Sequence, residues 1–455
     1  MRRRYEKPSI RKLHSGLMNK YGQSPAYLRK VCTDIDEVPV ERLVSEHGSP
    51  LFVYSERKIR QKYKSVKNAF SLRYPNVVFS WSYKTNYLDA VCAIMHQEGS
   101  HAEVVSEMEY SKARELGIPG EKIICNGPFK PLPFLERAMR EGAMVNADHL
   151  DEICDMETVA KKLGKRLKMG IRINLDAGVY PQWTRFGFNL ESGQALEAAK
   201  RIFKGGRLQL SGLHCHIGTF ILDPNAYAKE VAKLVGFAYQ LKKEFKFSFE
   251  YLDIGGGLPS MSKLKGTYLS PDLSVPSVDE YAEKICETLS RQLKPSDFPK
   301  LIVEFGRIMI DESASLISTI HAVKKLPDGT RAYVIDAGIN ILFTSFWYKF
   351  NIMIDREVPG MNEYSVIYGP LCMNIDVPDE GVMLPHLDRG TRLIFWPVGA
   401  YNNTQWMQFI TYRPAVVMIG EKGQVDVIRE AEDLTDIKRR EKLPARLSLG
   451  SERSK

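Results

Sequence analysis

No apolar run in this 455-residue chain approaches the roughly 18 residues that cross a bilayer, so no membrane span is expected. The seven cysteines are odd in number and form no CxxC pair. That excludes a disulfide framework and favours free thiols in a reducing compartment, the cytoplasm by default. The basic start, Met1-Arg2-Arg3-Arg4, has no apolar segment behind it and does not read as a secretory signal. GxGxxG spacing and a Walker lysine are both missing, which removes the dinucleotide and P-loop readings. Internal repeats and low-complexity tracts are missing as well. Without a helix-turn-helix, a zinc finger or an aromatic–basic RNA motif, no nucleic-acid partner is expected.

What is present describes an ordinary globular protein, 44% hydrophobic and 26% charged. The net charge of +9 is concentrated at the two ends, in Arg2-Arg3-Arg4 and in the stretch from Lys438-Arg439-Arg440 to Lys455. It reads as solvated tails, with an acidic carrier protein as the alternative.

From about residue 50 to 310, short β-rich runs alternate with amphipathic helical stretches. The runs include 51–54, 77–83, 102–105, 122–125, 168–174, 208–216, 250–254 and 301–304. Ser106 and Asp148 read as helix N-caps, and Gly117 and Gly164 as helix stops. Such alternation over some 250 residues predicts a (β/α)8 TIM barrel, with a doubly wound sheet as runner-up. After residue 312 the runs become β-rich and are punctuated by Gly, Pro and Asp, which predicts a mostly antiparallel β domain. The expected division is an N-terminal segment over 1–48 packed on the β domain, the barrel over 49–311, the β domain over 312–435 and a polar, disordered tail over 436–455.

A barrel gathers its active site at the C-terminal ends of its strands. Lys84 ends the run Val77-Val78-Phe79-Ser80-Trp81-Ser82-Tyr83, where burial would lower its pKa toward the neutral amine that attacks an aldehyde. Glu103, Arg172, His216 and Glu304 end or follow other runs. Gly255-Gly256-Gly257 reads either as a nest of backbone amides for a phosphate or as a plain strand–helix turn. Glu304-Phe305-Gly306-Arg307 suits a guanidinium grip on an oxyanion, or a surface ion pair. His214 and His216 share a strand face; a stacking histidine with a phosphate-binding Thr219 is preferred over zinc, for which no further Cys or His pair is at hand. Cys372, in Gly369-Pro370-Leu371-Cys372, is a loop thiol, and Tyr401 follows two small residues.

In this order and at these separations the motifs resemble the fold-type III pyridoxal-phosphate-dependent decarboxylases, whose barrel is alanine racemase-like. The resemblance covers about residues 48 to 420. It implies that Lys84, in Tyr83-Lys84-Thr85-Asn86, holds pyridoxal phosphate covalently and that His216 stacks on the ring. It further implies that Thr219, Gly256, Gly257, Arg307 and Tyr401 hold the phosphate, that Glu304 meets the ring nitrogen, and that Glu103 and Arg172 stand behind them. A homodimer follows, with the Cys372 loop completing the neighbour's site, and so does decarboxylation of an amino acid or an amino-acid conjugate, free or carrier-bound. A racemase on the same scaffold is the alternative. Two departures touch the substrate. Where diaminopimelate decarboxylases have an acidic residue after the cysteine, this chain has Met373; where they have an arginine four residues before a tyrosine, it has Thr344 before Tyr348. Both changes argue against meso-diaminopimelate as the preferred substrate.

Overall fold

The computed structural model describes residues 31–448, in which the chain builds two large sheets and two small two-stranded ones. Strand β1 (Leu51–Ser55) belongs to the second large sheet. The first is a closed ring of eight parallel strands: β2 (Val77–Ser82), β3 (His101–Val104), β4 (Ile123–Cys125), β5 (Met144–Ala147), β6 (Leu167–Asn174), β7 (Leu208–Cys215), β8 (Tyr251–Asp253) and β9 (Lys300–Val303). Closure comes from β9 pairing with β2, in the register Leu301↔Val77 and Val303↔Phe79. Helices cover the outside, so strands such as β7 are buried almost end to end and read as continuous apolar runs.

Local signals set the helix ends. Ser106 caps Glu107–Glu115 by accepting from the Glu109 amide at 3.2 Å, and Gly164 ends Leu150–Leu163 in the left-handed region, φ 64°. Asp148 is not the cap of that last helix. His149 is, accepting the Glu152 amide at 3.2 Å through Nδ1, while Asp148 turns toward the barrel mouth and accepts from the Gly187 amide at 3.1 Å.

The second sheet is mostly antiparallel and centres on β10 (Ala314–Lys325), which pairs with Arg331–Ile335, Arg392–Trp396 and β1. The run at 51–54 was expected in the barrel, yet β1 lies between β10 and Val416–Ile419, with all five residues buried. A short apolar run is compatible with either sheet, and its composition does not choose. Its alternation carries the packing: Phe52 and Tyr54 join the large core shared with the barrel, whereas Leu51 and Val53 face a second cluster. That cluster also takes Val40 and Leu43 from the helix Val40–His47, so residues 31–48 pack on the β domain. The earlier part of the N-terminal segment, 1–30, lies outside the described residues. At the other end, order extends beyond 436. Asp433 and Asp436 form a capping box for Leu434–Lys438, and a 3-10 turn follows at Ala445–Leu447. Residues 449–455 of the polar tail again lie outside the described residues. No described helix is long and apolar enough to cross a membrane.

Candidate active site

The strand ends of the barrel open into a cavity of about 560 Å³. Its lining includes Lys84, Glu103, Arg172, His216, Thr219, Gly256, Gly257, Glu304, Arg307, Thr344, Tyr348 and Tyr401, so twelve of the fourteen candidates meet in one space. The other two, Cys372 and Met373, do not line it, and Cys372 is exposed.

Lys84 sits in a one-turn 3-10 segment, Tyr83–Thr85, directly after β2. Its ammonium is ion-paired with Glu103, whose carboxylate also accepts from Ser82 Oγ at 2.5 Å. Burial acts to lower the lysine's pKa, but the charges of Glu103 and Glu304 reverse the balance and raise it. The expected neutral amine is therefore an ammonium as long as Glu103 remains its counter-ion. The β domain holds the backbone here: Tyr401 N donates to Thr85 O at 2.8 Å and Thr404 Oγ1 to Lys84 O at 2.9 Å. Tyr401 does so from the left-handed region, φ 68°, unusual for a residue with a Cβ.

Glu304 follows β9 and is buried. Burial alone would raise its pKa, yet His214, Lys84 and a hydrogen bond with Asp253 hold it below the usual carboxylate range. Asp253 shows the converse: burial first, then Glu304's charge, push its carboxyl well up, so it keeps a proton. His214 Nε2 is 3.4 Å from Glu304 Oε2. His214, Asp253 and Glu304 bring ligand atoms within 4.8 Å of one another, the one such group among the described residues. Its two carboxyl groups are a ligand type that Cys and His spacing does not reveal.

Another part of the lining suits an anion. Gly256 and Gly257 approach other backbone so closely that a Cβ would lie 2.3 Å from Glu304 O and 2.3 Å from Gly218 O. Arg307 is buried, bonded through one amine to Asp311 at 3.2 Å, and stacked 4.3 Å from the Tyr348 ring and 5.1 Å from the Tyr401 ring. Its Nε has no partner. Asp311 is itself fixed by Ser260 at 2.5 Å, Ser262 at 2.7 Å and the Ala400 amide at 3.2 Å, so the guanidinium cannot swing away. His216 accepts the Gly256 amide at 3.2 Å through Nδ1. Burial, and then Arg172, drive its pKa well down, which leaves a neutral ring. A lysine amine, an orphaned guanidinium N–H and a neutral imidazole lining one cavity fit a ring that carries an aldehyde and a phosphate.

Several lining residues escaped the sequence reading. Asn126 follows β4 as Lys84 follows β2, so the strand-end rule could have found it. Trp183, Trp347 and Gln405 come from loops whose patterns hold no such signal. Thr344 is buried and bonded to Asn402 Oδ1 at 2.9 Å.

Residues 56–311 match the family described as pyridoxal-dependent decarboxylase, pyridoxal binding domain. Among curated relatives, the diaminopimelate decarboxylase of Methanocaldococcus jannaschii is 28% identical over 428 residues, covering 91% of this chain and 95% of that protein. The diaminopimelate decarboxylase of Bacillus subtilis is 27% identical, covering 89% and 94%. The solved structure of the M. jannaschii enzyme overlays with a TM-score of 0.83 across 91% of this chain and 97% of that one, and its complex with L-lysine gives the same score at 27% identity, across 93% and 100%.

Proposed function

This chain belongs to the pyridoxal-dependent decarboxylase family, and we propose that it removes the α-carboxylate from an amino acid whose side chain ends without a charge. It is a pyridoxal-phosphate-dependent carboxy-lyase on a TIM barrel with an added β domain. The observation that carries the narrower reading is the distribution of charge around the cavity. Its charged side chains are Lys84, Glu103, Arg172, Glu304 and Arg307, each close to the positions a cofactor needs. The rest of the wall includes Trp183, Phe186, Leu264, Thr344, Trp347 and Gln405, none of which carries a charge to offer a distal ammonium or carboxylate.

When bound, the cofactor supplies an aldehyde that captures amines and a protonated ring that accepts the electron pair left as carbon dioxide departs. Lys84 would hold that aldehyde, passing its proton toward Glu103 as the amine becomes nucleophilic. Glu304, kept ionised, would hold the proton on the ring nitrogen. The flat face of His216 would support the ring. Thr219, the amide of Gly257, Arg307 and Tyr401 would bind the phosphate, the Gly256 amide being held by His216 Nδ1, with Arg172 behind His216. Lys84 Nζ or Cys372 Sγ would return a proton to the substrate's α-carbon.

Because Cys372 is exposed and outside its own cavity, we assign it to the cavity of a second copy in a homodimer. The incoming loop would carry Leu371, Met373 and Asn374, again without charge. All seven cysteines are free, which supports a reducing, cytoplasmic setting. The test is carbon dioxide release by holoenzyme across charged, uncharged and carrier-bound amino acids. The highest kcat/KM is expected for an uncharged side chain; meso-diaminopimelate at the top would overturn the reading.

A further inference from the structure

Behind the cavity, three uncharged polar side chains run in a line across the barrel interior and end on the two active-site carboxylates. Tyr251 on β8 donates its hydroxyl to Asn146 Oδ1 at 2.8 Å. Asn146 on β5 donates through Nδ2 to Asn126 Oδ1 at 2.9 Å. Asn126, just past β4, donates through Nδ2 to Glu304 Oε1 at 2.6 Å and to Glu103 Oε1 at 3.2 Å. All three are buried.

The direction of this line is fixed at its carboxylate end, because an ionised carboxylate only accepts whereas a phenol can donate or accept. Asn126 must turn its NH2 to the carboxylates and its oxygen to Asn146, so Asn146 turns its NH2 to Asn126 and its oxygen to Tyr251, whose buried phenol keeps the proton that meets it. Both hydrogens of that amide have an anion to meet. Room for the line is built into the strands: a Cβ on Gly170 would lie 2.1 Å from both Asn146 Oδ1 and Tyr251 Oη, and one on Gly212 would lie 2.5 Å from the Tyr251 ring.

We propose that Asn126 is a positioning residue that aims Glu304 at the cofactor's ring nitrogen, tying it to Glu103 through one amide whose orientation Asn146 and Tyr251 hold. The proposal rests on the reading of Glu304 above. Asn126 touches neither substrate nor cofactor in this account; it acts by keeping one oxygen of Glu304 occupied and ionised, so that the other meets the ring.

The test compares two ligands on the purified protein: pyridoxal phosphate, and its analogue with C–H in place of the ring nitrogen. Dissociation constants come from equilibrium dialysis, with circular dichroism as the check on folding. In Asn126→Ala the affinity for pyridoxal phosphate is expected to fall about tenfold or more, the size of one hydrogen bond to a charge, while that for the analogue stays put. A structural defect would weaken both ligands alike, and that result, or no change in either, overturns the proposal. Should Asn126→Ala fail to fold, Asn146→Ala decides on the same criterion, with a smaller selective loss expected. If the unaltered protein binds the two ligands equally, Glu304 does not meet the ring nitrogen and both readings fall. If it prefers pyridoxal phosphate and the variants keep that preference, only the role of Asn126 falls.

Discussion

In the barrel, the charged side chains facing the cavity are each held by a partner: Lys84 by Glu103, Glu304 by His214 and the protonated Asp253, Arg307 by Asp311. The β domain faces the same cavity with Thr344, Trp347, Tyr348, Tyr401 and Gln405, all uncharged. The contrast separates two tasks. Reaction chemistry needs buried charges fixed by counter-charges, and the rigid ends of parallel strands supply that fixity. Choice of side chain needs shape, which loops can change without disturbing the charges.

The harshest way to break this division is to remove its covalent anchor. Lys84→Ala should leave no pyridoxyl adduct after borohydride reduction and should lower turnover by at least about a thousandfold. An adduct at full yield on another lysine would move the chemistry away from the β2 end. Cys372→Ala tests the other side. Cofactor absorption should stay, because nothing on the cofactor changes, while turnover falls about a hundredfold through loss of a proton donor. Mixing Lys84→Ala with Cys372→Ala subunits should restore activity, since one of the two hybrid sites would be intact. Restoration absent from a verified mixed dimer would remove the shared site.

This division also explains what could be read from residues alone. The barrel candidates were legible because one geometric rule, strand ends at the mouth, gathers Lys84, Glu103, His216 and Glu304 from distant positions. The same rule covers Asn126, although an asparagine before a glycine is equally a turn signal. It did not cover the fate of Lys84's proton. Desolvation was visible from the strand, but the opposing carboxylate comes from a strand some twenty positions later, and only the fold brings it into contact. Strand β1 was assigned to the wrong sheet for a related reason: an apolar run advertises burial, and its partners lie more than 250 residues away in the chain. Trp183, Trp347 and Gln405 show the limit for specificity, since loop residues follow no period.

A smaller effect sharpens the comparison from the β-domain side. Thr344→Arg together with Met373→Glu should raise kcat/KM for meso-diaminopimelate, because each charged contact is worth about 1.5–3 kcal/mol when desolvated. About tenfold is the expected gain, since Thr344 is buried against Asn402 and an arginine must displace that contact. The cofactor spectrum should not move. A gain of activity accompanied by a changed spectrum would mean that the two halves of the cavity are not independent.

The smallest effect concerns stability and again sets the barrel apart. Glu109 is buried in the first turn of Glu107–Glu115, accepting the Val105 amide at 2.7 Å. Burial, opposed by that hydrogen bond and reinforced by Glu103, pushes its pKa up to about 7 from 4.5. Below 4.5 the carboxyl is neutral whether the chain is folded or not, and stability is complete. Between 4.5 and about 7 the unfolded chain releases a proton that the folded one keeps, so stability falls as pH rises; above 7 the deficit is constant. Glu109→Gln keeps an oxygen for the Val105 amide and cannot ionise. The variant should match the parent in urea at pH 4 and exceed it by about 2 kcal/mol at pH 8. An advantage of the same size at both pH values would trace the gain to packing rather than to the burial of a charge.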